Sequence, residues 1–426
     1  MSLFPFAKLV NRLITHGELT VIEHDGKRHV FGSPETGPSA TIRITDPGFV
    51  RRLMRHPCLV FGEAYMDGAF TIEAGTLHDL LEIVIISTAR GEPAGFVGRM
   101  MARAASMLPR NDGARATRNV QHHYDIDHRL YEMFLDEDMQ YSCAYWRDGV
   151  TSLEQAQRDK KDHIARKLLI EPGMKVLDIG CGWGGLALTL ARDYGANVTG
   201  VTLSTDQYET AVRRVEEAGL ADRVTIKLQD YRHETDSYDR IVSVGMFEHV
   251  GPRNFSEFFD HVDRLMRPDG VVLLHTIGRM ATPGPINAWM RKYIFPGAYL
   301  PTLSQLMPLL EERGLWLADL EMLRIHYAKT LAVWDERFQA RRAEIAAMHD
   351  ERFCRMWEFY LQLNEIAFRH RSLVVFQLQF GKKIDAVPIT RDYLYADAAS
   401  ASLRAEHQPL RIAGGTDERA AAKKVG

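Results

Sequence analysis

From Lys175 onward the chain alternates short apolar runs with segments of helical period. The runs are Lys175 to Asp178, Val198 to Leu203, Val224 to Leu228, Arg240 to Val244 and Val271 to His275. Such runs, separated by helical stretches, predict parallel strands covered on both faces by crossover helices. The earlier part of the chain reads differently. Leu3, Phe6, Val10 and Leu13 fall near helical spacing, with Lys8 and Arg12 between them. Strand-like stretches follow at Leu19 to His24, His29 to Phe31 and Ala40 to Ile44, broken by Asp25-Gly26 and by the turn cluster Gly32 to Gly37. Pro47 to His56 and Thr76 to Ile86 carry helical patterning, with the string Phe61 to Phe70 between them. The expected fold class is α/β, a Rossmann-like sheet preceded by a small α+β amino-terminal domain over residues 1–90.

Residues 91–118 read as a linker, with Gly91, Pro93, Gly95, Gly98, Pro109 and Gly113. Arg99, Arg103, Arg110, Arg115 and Arg118, with Arg90 just before them, face only Glu92 and Asp112 there, interleaved with apolar residues. A solvated linker helix and a membrane-surface contact both fit this stretch. The large domain is expected over 119–395. Residues 396–426 lack periodicity and read as a flexible tail.

Composition narrows the function. A hydrophobic fraction of 46% and a charged fraction of 26% suit large packed cores and exclude disorder of the whole chain. A net charge of −3 gives no global field for nucleic acid. The four cysteines form no CxxC pair, so neither a disulfide framework nor a metal site is signalled, and a cytoplasmic protein is expected. No run of roughly 18 uncharged apolar residues occurs, so any membrane contact is expected to be peripheral.

The first run of the large domain leads straight into Ile179-Gly180-Cys181-Gly182-Trp183-Gly184-Gly185 and a helical stretch. Glycines at the carboxyl end of a first strand let a nucleotide-like ligand approach the backbone. The string is D-x-G-x-G-x-G, opened by Asp178. Dinucleotide spacing is met only by pairing Gly180, Gly182 and Gly185, and a dinucleotide site wants an acid about 20 residues further on. The second run ends instead in Thr202-Leu203-Ser204, and Asp206 comes late. After the third run, Gln229-Asp230-Tyr231 brings a carboxylate and a ring to the same sheet edge, although Asp230 also reads as a helix cap.

Three further strings face the same crevice: Met139 to Trp146 (MQYSCAYW), Gly245 to Pro252 (GMFEHVGP) and Leu274 to Gly278 (LHTIG). With them the chain resembles the cyclopropane-fatty-acyl-phospholipid synthases and, more distantly, the mycolic acid cyclopropane synthases and methyltransferases. The resemblance spans roughly residues 120–380 and, more faintly, the amino-terminal domain. It implies a class I methyltransferase sheet that binds S-adenosylmethionine (SAM). Tyr141, Ser142, Asp178, Gly180, Cys181, Gly182, Gly184, Thr202, Leu203, Ser204, Gln207, Asp230 and Tyr231 match the family's SAM-holding segments. Cys143, Glu248, His275, Ile277 and Tyr327 match its bicarbonate site.

The same resemblance implies the chemistry. Methyl transfer to an acyl-chain double bond leaves a carbocation, and bicarbonate held by Glu248, His275 and Tyr327, with Cys143 as a wall, takes a proton to close a cyclopropane ring. Tyr145, Trp146, Phe247 and Tyr293 are expected to favour the cation through their ring faces. Each residue has a plainer reading too. Glu248 can cap a helix starting around Pro252, and His275 can be a satisfied core residue. Many relatives carry a cysteine where Asn364 stands, and Cys354 lies ten residues earlier. A methyl-branched or methylated unsaturated chain is therefore an alternative product. The implied substrate is a membrane phospholipid, met by peripheral contact at the inner membrane surface, and the implied assembly is a homodimer. A methyltransferase for a soluble acceptor and a non-catalytic lipid-binding protein are the rival readings.

Overall fold

The computed structural model describes residues 7–89 and 128–395. The Arg-rich linker, the carboxyl-terminal tail, and Leu3 and Phe6 of the first helical pattern lie outside the described residues.

The amino-terminal unit is a four-stranded sheet of β1 (Glu18–Ile22), β2 (Arg28–Gly32), β3 (Ser39–Ile44) and β4 (Phe70–Ala74) in the order β2-β1-β3-β4. The first three strands coincide with the three strand-like stretches. Helices Phe49–Arg55 and Leu77–Ala89 coincide with the two helical patterns. The string Phe61 to Phe70 proves to be the end of a further helix, Pro57–Met66, and the start of β4. Its periodicity is weak for a physical reason. The helix is covered on more than one side, so Val60, Gly62, Ala64 and Met66 are all buried and no single apolar stripe stands out.

That helix joins the two units. A Cβ on Gly62 would lie 2.5 Å from Cδ1 and Nε1 of the Trp289 ring. Nearby, Tyr65 Oη donates to Glu358 Oε2 at 2.8 Å, and His78 Nε2 sits 3.0 Å from Glu365 Oε2. Gly62→Leu is therefore expected to destabilise the protein by about 1–3 kcal/mol through overpacking. A thermal melt checks this, and an unchanged melting temperature would contradict the close packing.

The large unit holds a seven-stranded sheet: β5 (Lys175–Ile179), β6 (Asn197–Thr202), β7 (Val224–Leu228), β8 (Tyr238–Val244), β9 (Met266–Arg279), β10 (Trp316–Met322) and β11 (Leu373–Gly381). Their order is β10-β11-β9-β8-β5-β6-β7. The five expected runs are β5 to β9, and neighbours among them pair in parallel. β11 then runs antiparallel to both β9 and β10. The chain moves outward from β5 through β6 to β7, then returns to β8 on the other side of β5. That reversal opens a crevice at the carboxyl ends of β5 and β8, the usual ligand position in such sheets.

Candidate functional site

The glycine loop leaves β5 at this crevice. Gly180 has φ +84°, and a Cβ there would lie 2.7 Å from Met246 Cβ. Gly182 has φ +56°, and a Cβ there would meet nothing within 4 Å, so its backbone is open to a ligand. Beneath the loop a cavity of about 160 Å³ is lined by Asp178, Gly180, Cys181 and Gly182, by Thr202, Leu203 and Gln207, by Asp230 and Tyr231, and by Tyr141 and Ser142. Eleven of the thirteen residues that the resemblance assigns to SAM therefore share one wall.

The other two stand one layer back. Gly184 is the N-cap of helix Gly185–Tyr194 in a left-handed conformation, and a Cβ there would lie 3.1 Å from Ala211 Cβ. Ser204 caps helix Thr205–Glu217 by accepting from the Gln207 amide at 3.3 Å. Thr202 Oγ1 in turn donates to Gln207 Oε1 at 2.8 Å. Both sequence readings of Asp230 hold together: it lines the cavity and also caps the short turn Tyr231–His233, where Arg232 grips it with contacts of 2.9 and 2.6 Å.

Lys160 is the residue that the motifs missed. It lies on helix Leu153–Lys167, lines the cavity and is 1% exposed. Its Nζ donates to Gln140 Oε1 at 2.7 Å and to Ser142 Oγ at 2.9 Å. Among the described residues no carboxylate lies within 4 Å of that ammonium, and burial pushes it down to about 8. Across the cavity, burial pushes the Asp178 carboxyl up to about 7 against the pull of Lys160, and Asp178 Oδ2 is buried without a partner among the described residues. The helical period held the signal. Lys160 shares a face with Leu153, Ala156 and Ile164, all fully buried.

A second, apolar cavity of about 950 Å³ adjoins the first. Tyr141, Ser142, Gly245 and His249 line both. Cys143, Glu248, His275, Ile277 and Tyr327 all line the second, so the five residues of the ion-site assignment come together beside the junction.

Glu248 sits on the short turn Phe247–His249 after β8. Its Oε1 accepts from the Ile277 amide at 2.6 Å, while Oε2 is buried without a partner among the described residues. Burial pushes this carboxyl up to about 7, only partly offset by the Ile277 amide. The capping role is taken elsewhere, since the next helix runs Phe255–Leu265 with Asn254 as N-cap. His275 on β9 faces Gln377 on β11, whose amide Nε2 lies 3.2 Å from His275 Nδ1. With that amide donating, the neutral ring carries its proton on Nε2. Burial, helped by Lys160 and Lys167, pushes His275 down to about 3. The unfolded ring takes a proton near its ordinary value of 6.5 and the folded ring refuses it, so His275 costs stability as pH falls from about 6.5 toward 3. His275→Gln is expected to lose less stability than the parent between pH 7 and about 4.5. Melting temperatures at those two pH values check this.

Tyr141 is fixed by an Oη to Oη contact of 2.8 Å with Tyr360 and by stacking on Trp334. Cys143 is buried and its thiol is pushed up by burial, as suits a wall and not a nucleophile.

The aromatic expectation needs correction. Tyr145 stacks between His163 and His326, and the Trp146 indole donates to Thr330 Oγ1. Phe247 packs among Phe255, Phe258 and Phe259, and Tyr293 donates to Glu63. None of these four lines either cavity. The rings that do line the apolar cavity near the junction are Tyr141, Phe295, Tyr327, Phe359 and Phe368. Asn364 also lines it, with Nδ2 donating to the Tyr360 carbonyl at 2.7 Å. Cys354 is buried away from both cavities, its Sγ 3.9 Å from the Arg342 carbonyl.

The chain is similar to known proteins over most of its length. A family model described as mycolic acid cyclopropane synthetase matches residues 111–378, and one described as a domain of unknown function matches residues 6–90. The chain is 42% identical over 347 residues to the cyclopropane-fatty-acyl-phospholipid synthase of Escherichia coli K12, covering 81% of this chain and 89% of that protein. It is 36% identical over 394 residues to the tuberculostearic acid methyltransferase of Mycobacterium tuberculosis, covering 87% and 89% respectively. Among solved structures, a cyclopropane synthase from Mycobacterium tuberculosis superposes with a TM-score of 0.59 at 32% identity, over 62% of this chain and 97% of that one. A mycolic acid cyclopropane synthase solved with S-adenosylhomocysteine (SAH) and CTAB matches equally well.

Proposed function

The chain belongs to the mycolic acid cyclopropane synthetase family of SAM-dependent methyltransferases, and from that premise we propose that it methylates the cis double bond of a phospholipid acyl chain and closes a cyclopropane ring. The carrying observation is the junction itself. A cavity walled by the glycine loop meets a large apolar cavity across Tyr141, Ser142, Gly245 and His249, and the five ion-site residues line the apolar side.

The residues present fit both SAM and bicarbonate. Gly182 leaves open space above its backbone, and Lys160 offers an ammonium with only neutral partners to the carboxylate of SAM. The unpartnered Glu248 Oε2 and the buried His275 offer polar contacts to a small anion in an otherwise apolar wall. When bound, SAM supplies an electrophilic methyl group and bicarbonate supplies a base beside it. Glu248, whose carboxyl is pushed up to about 7 by burial, would share a hydrogen with the anion. His275 Nε2 and the Tyr327 hydroxyl act as further donors, and Cys143 and Ile277 close the wall. Ring faces of Tyr141, Tyr327 and Phe368 favour the cation that methyl transfer leaves on the acyl chain. An acyl chain filling the apolar cavity would leave little room for water, which protects that cation from hydration.

Asn364 favours a second product. Its amide brings polarity to a wall where many relatives carry a cysteine, and a cation that loses its proton elsewhere gives a methylated alkene, which a separate enzyme with a hydride donor would have to reduce to a methyl-branched chain. The test of the reaction class is lipid dependence. SAM turnover to SAH should require an unsaturated phospholipid; equal turnover with saturated lipid, or with a soluble acceptor alone, would overturn the reading.

A further inference from the structure

We propose that the apolar rim at exposed Leu13 and Met54, with half-buried Leu53 beside Met54, is the portal for the acyl chain, seated on a bilayer that bears anionic headgroups. This rests on the acyl-chain substrate just argued. The apolar cavity does not stop at the large unit. From Glu248 and His275 its wall continues into the amino-terminal unit, where Val21, Ile42 and Ile44 of the small sheet and Leu80 of helix Leu77–Ala89, all core residues of that unit, line it. The domain matched only as one of unknown function thus forms part of the chain's receptacle.

The same wall reaches the surface at Leu13 and Met54, each 46% exposed, beside exposed Pro57 and Cys58. Large apolar side chains at the lip of an apolar cavity are costly in water and stable in a lipid interface. The charge around the lip has the matching sign. Helix Ala7–Leu13 carries exposed Lys8 and Arg12, and helix Phe49–Arg55 carries exposed Arg51, Arg52 and Arg55. Asp46 engages Arg52 at 2.5 Å, but among the described residues no acid lies within 4 Å of the other four. Cations ringing an apolar lip meet anionic headgroups while the lip enters the acyl region. An acyl chain entering there passes through the small unit to reach the junction without crossing water.

The molecule carries its own reporter. Cys58 is exposed at the lip, whereas Cys143, Cys181 and Cys354 are buried. An environment-sensitive fluorophore on Cys58 is expected to shift to the blue on vesicles of unsaturated phosphatidylglycerol, and far less on phosphatidylcholine. The double variant Arg51→Glu, Arg55→Glu should weaken partitioning about tenfold or more, and added salt should weaken the parent likewise. Leu13→Asp with Met54→Asp should abolish the shift while melting temperature and SAH affinity stay at parent values. Vesicle binding with an unshifted Cys58 label would overturn the portal. So would a shift at Thr282→Cys, on another exposed stretch of the cavity wall, in a Cys58→Ser background. Methylene gain on lipid with a silent Cys58 label removes the portal and keeps the reaction, whereas insertion at Cys58 without methylene gain removes the reaction.

Discussion

Glu248→Gln is expected to slow methylene gain on the acyl chain by about 10²–10⁴-fold, the range for loss of a positioned acid–base group. The substitution is well separated from folding. Glutamine keeps an oxygen to accept from the Ile277 amide and has the same shape, so the turn Phe247–His249 should persist. It loses the acid that shares a hydrogen with an anion at Oε2. SAH affinity should therefore remain near the parent value, because Glu248 does not line the cofactor cavity. Stability supplies a second readout of known sign. Burial raises the folded carboxyl from 4.5 to about 7, so ionising it is a cost that grows as pH rises across that window and is absent below it. The variant should be more stable than the parent at about pH 8 and similar at about pH 4. Near-parent turnover by Glu248→Gln would remove Glu248 from the chemistry.

Lys160→Met is expected to weaken SAH binding by about 30–5,000-fold, corresponding to the roughly 2–5 kcal/mol typical of truncating one partner of a buried charge pair. The argument is electrostatic. A 1% exposed ammonium held by Gln140 and Ser142 has no anion of its own among the described residues, and the cofactor's carboxylate is the natural complement. Calorimetry with SAH and its decarboxylated analogue separates that role from mere support of the Gln140 to Ser142 strap. The parent should strongly prefer SAH, and Lys160→Met should bind the two alike. An equal loss for both ligands would make Lys160 a support for the strap only.

Sequence patterning reached the parts of the fold whose burial is self-evident in the side chains. β5 to β9 are apolar runs because parallel strands are covered on both faces. β10 stayed hidden because Asp319 and Glu321 interrupt it. Those charges are matched by Lys167 and His163, which come from a helix about 150 residues earlier. β11 is broken by Gln377 and Gln379, both fully buried: Gln377 Nε2 meets His275 Nδ1 across the sheet, and Gln379 donates to the Lys167 carbonyl and accepts from the Tyr393 hydroxyl. Helix Pro57–Met66 lost its stripe because it is wedged between two units. At the site, the glycine loop and the Glu248 and His275 strings were legible because each combines a strand end with an unusual residue. The aromatic lining was not. Neighbours in sequence, such as Tyr145 and Trp146, turn to His326 and Thr330, while Tyr327, Phe359 and Phe368 reach the cavity from helices His326–Ala340 and Glu351–His370.

The most direct measurement incubates the protein with unsaturated phospholipid vesicles and SAM whose methyl group carries three deuteriums, then weighs the acyl chains by mass spectrometry. Ring closure predicts a gain of one methylene carrying two deuteriums, with the double bond lost. No labelled gain on any acyl chain would contradict methyl transfer to lipid, the claim on which the account rests.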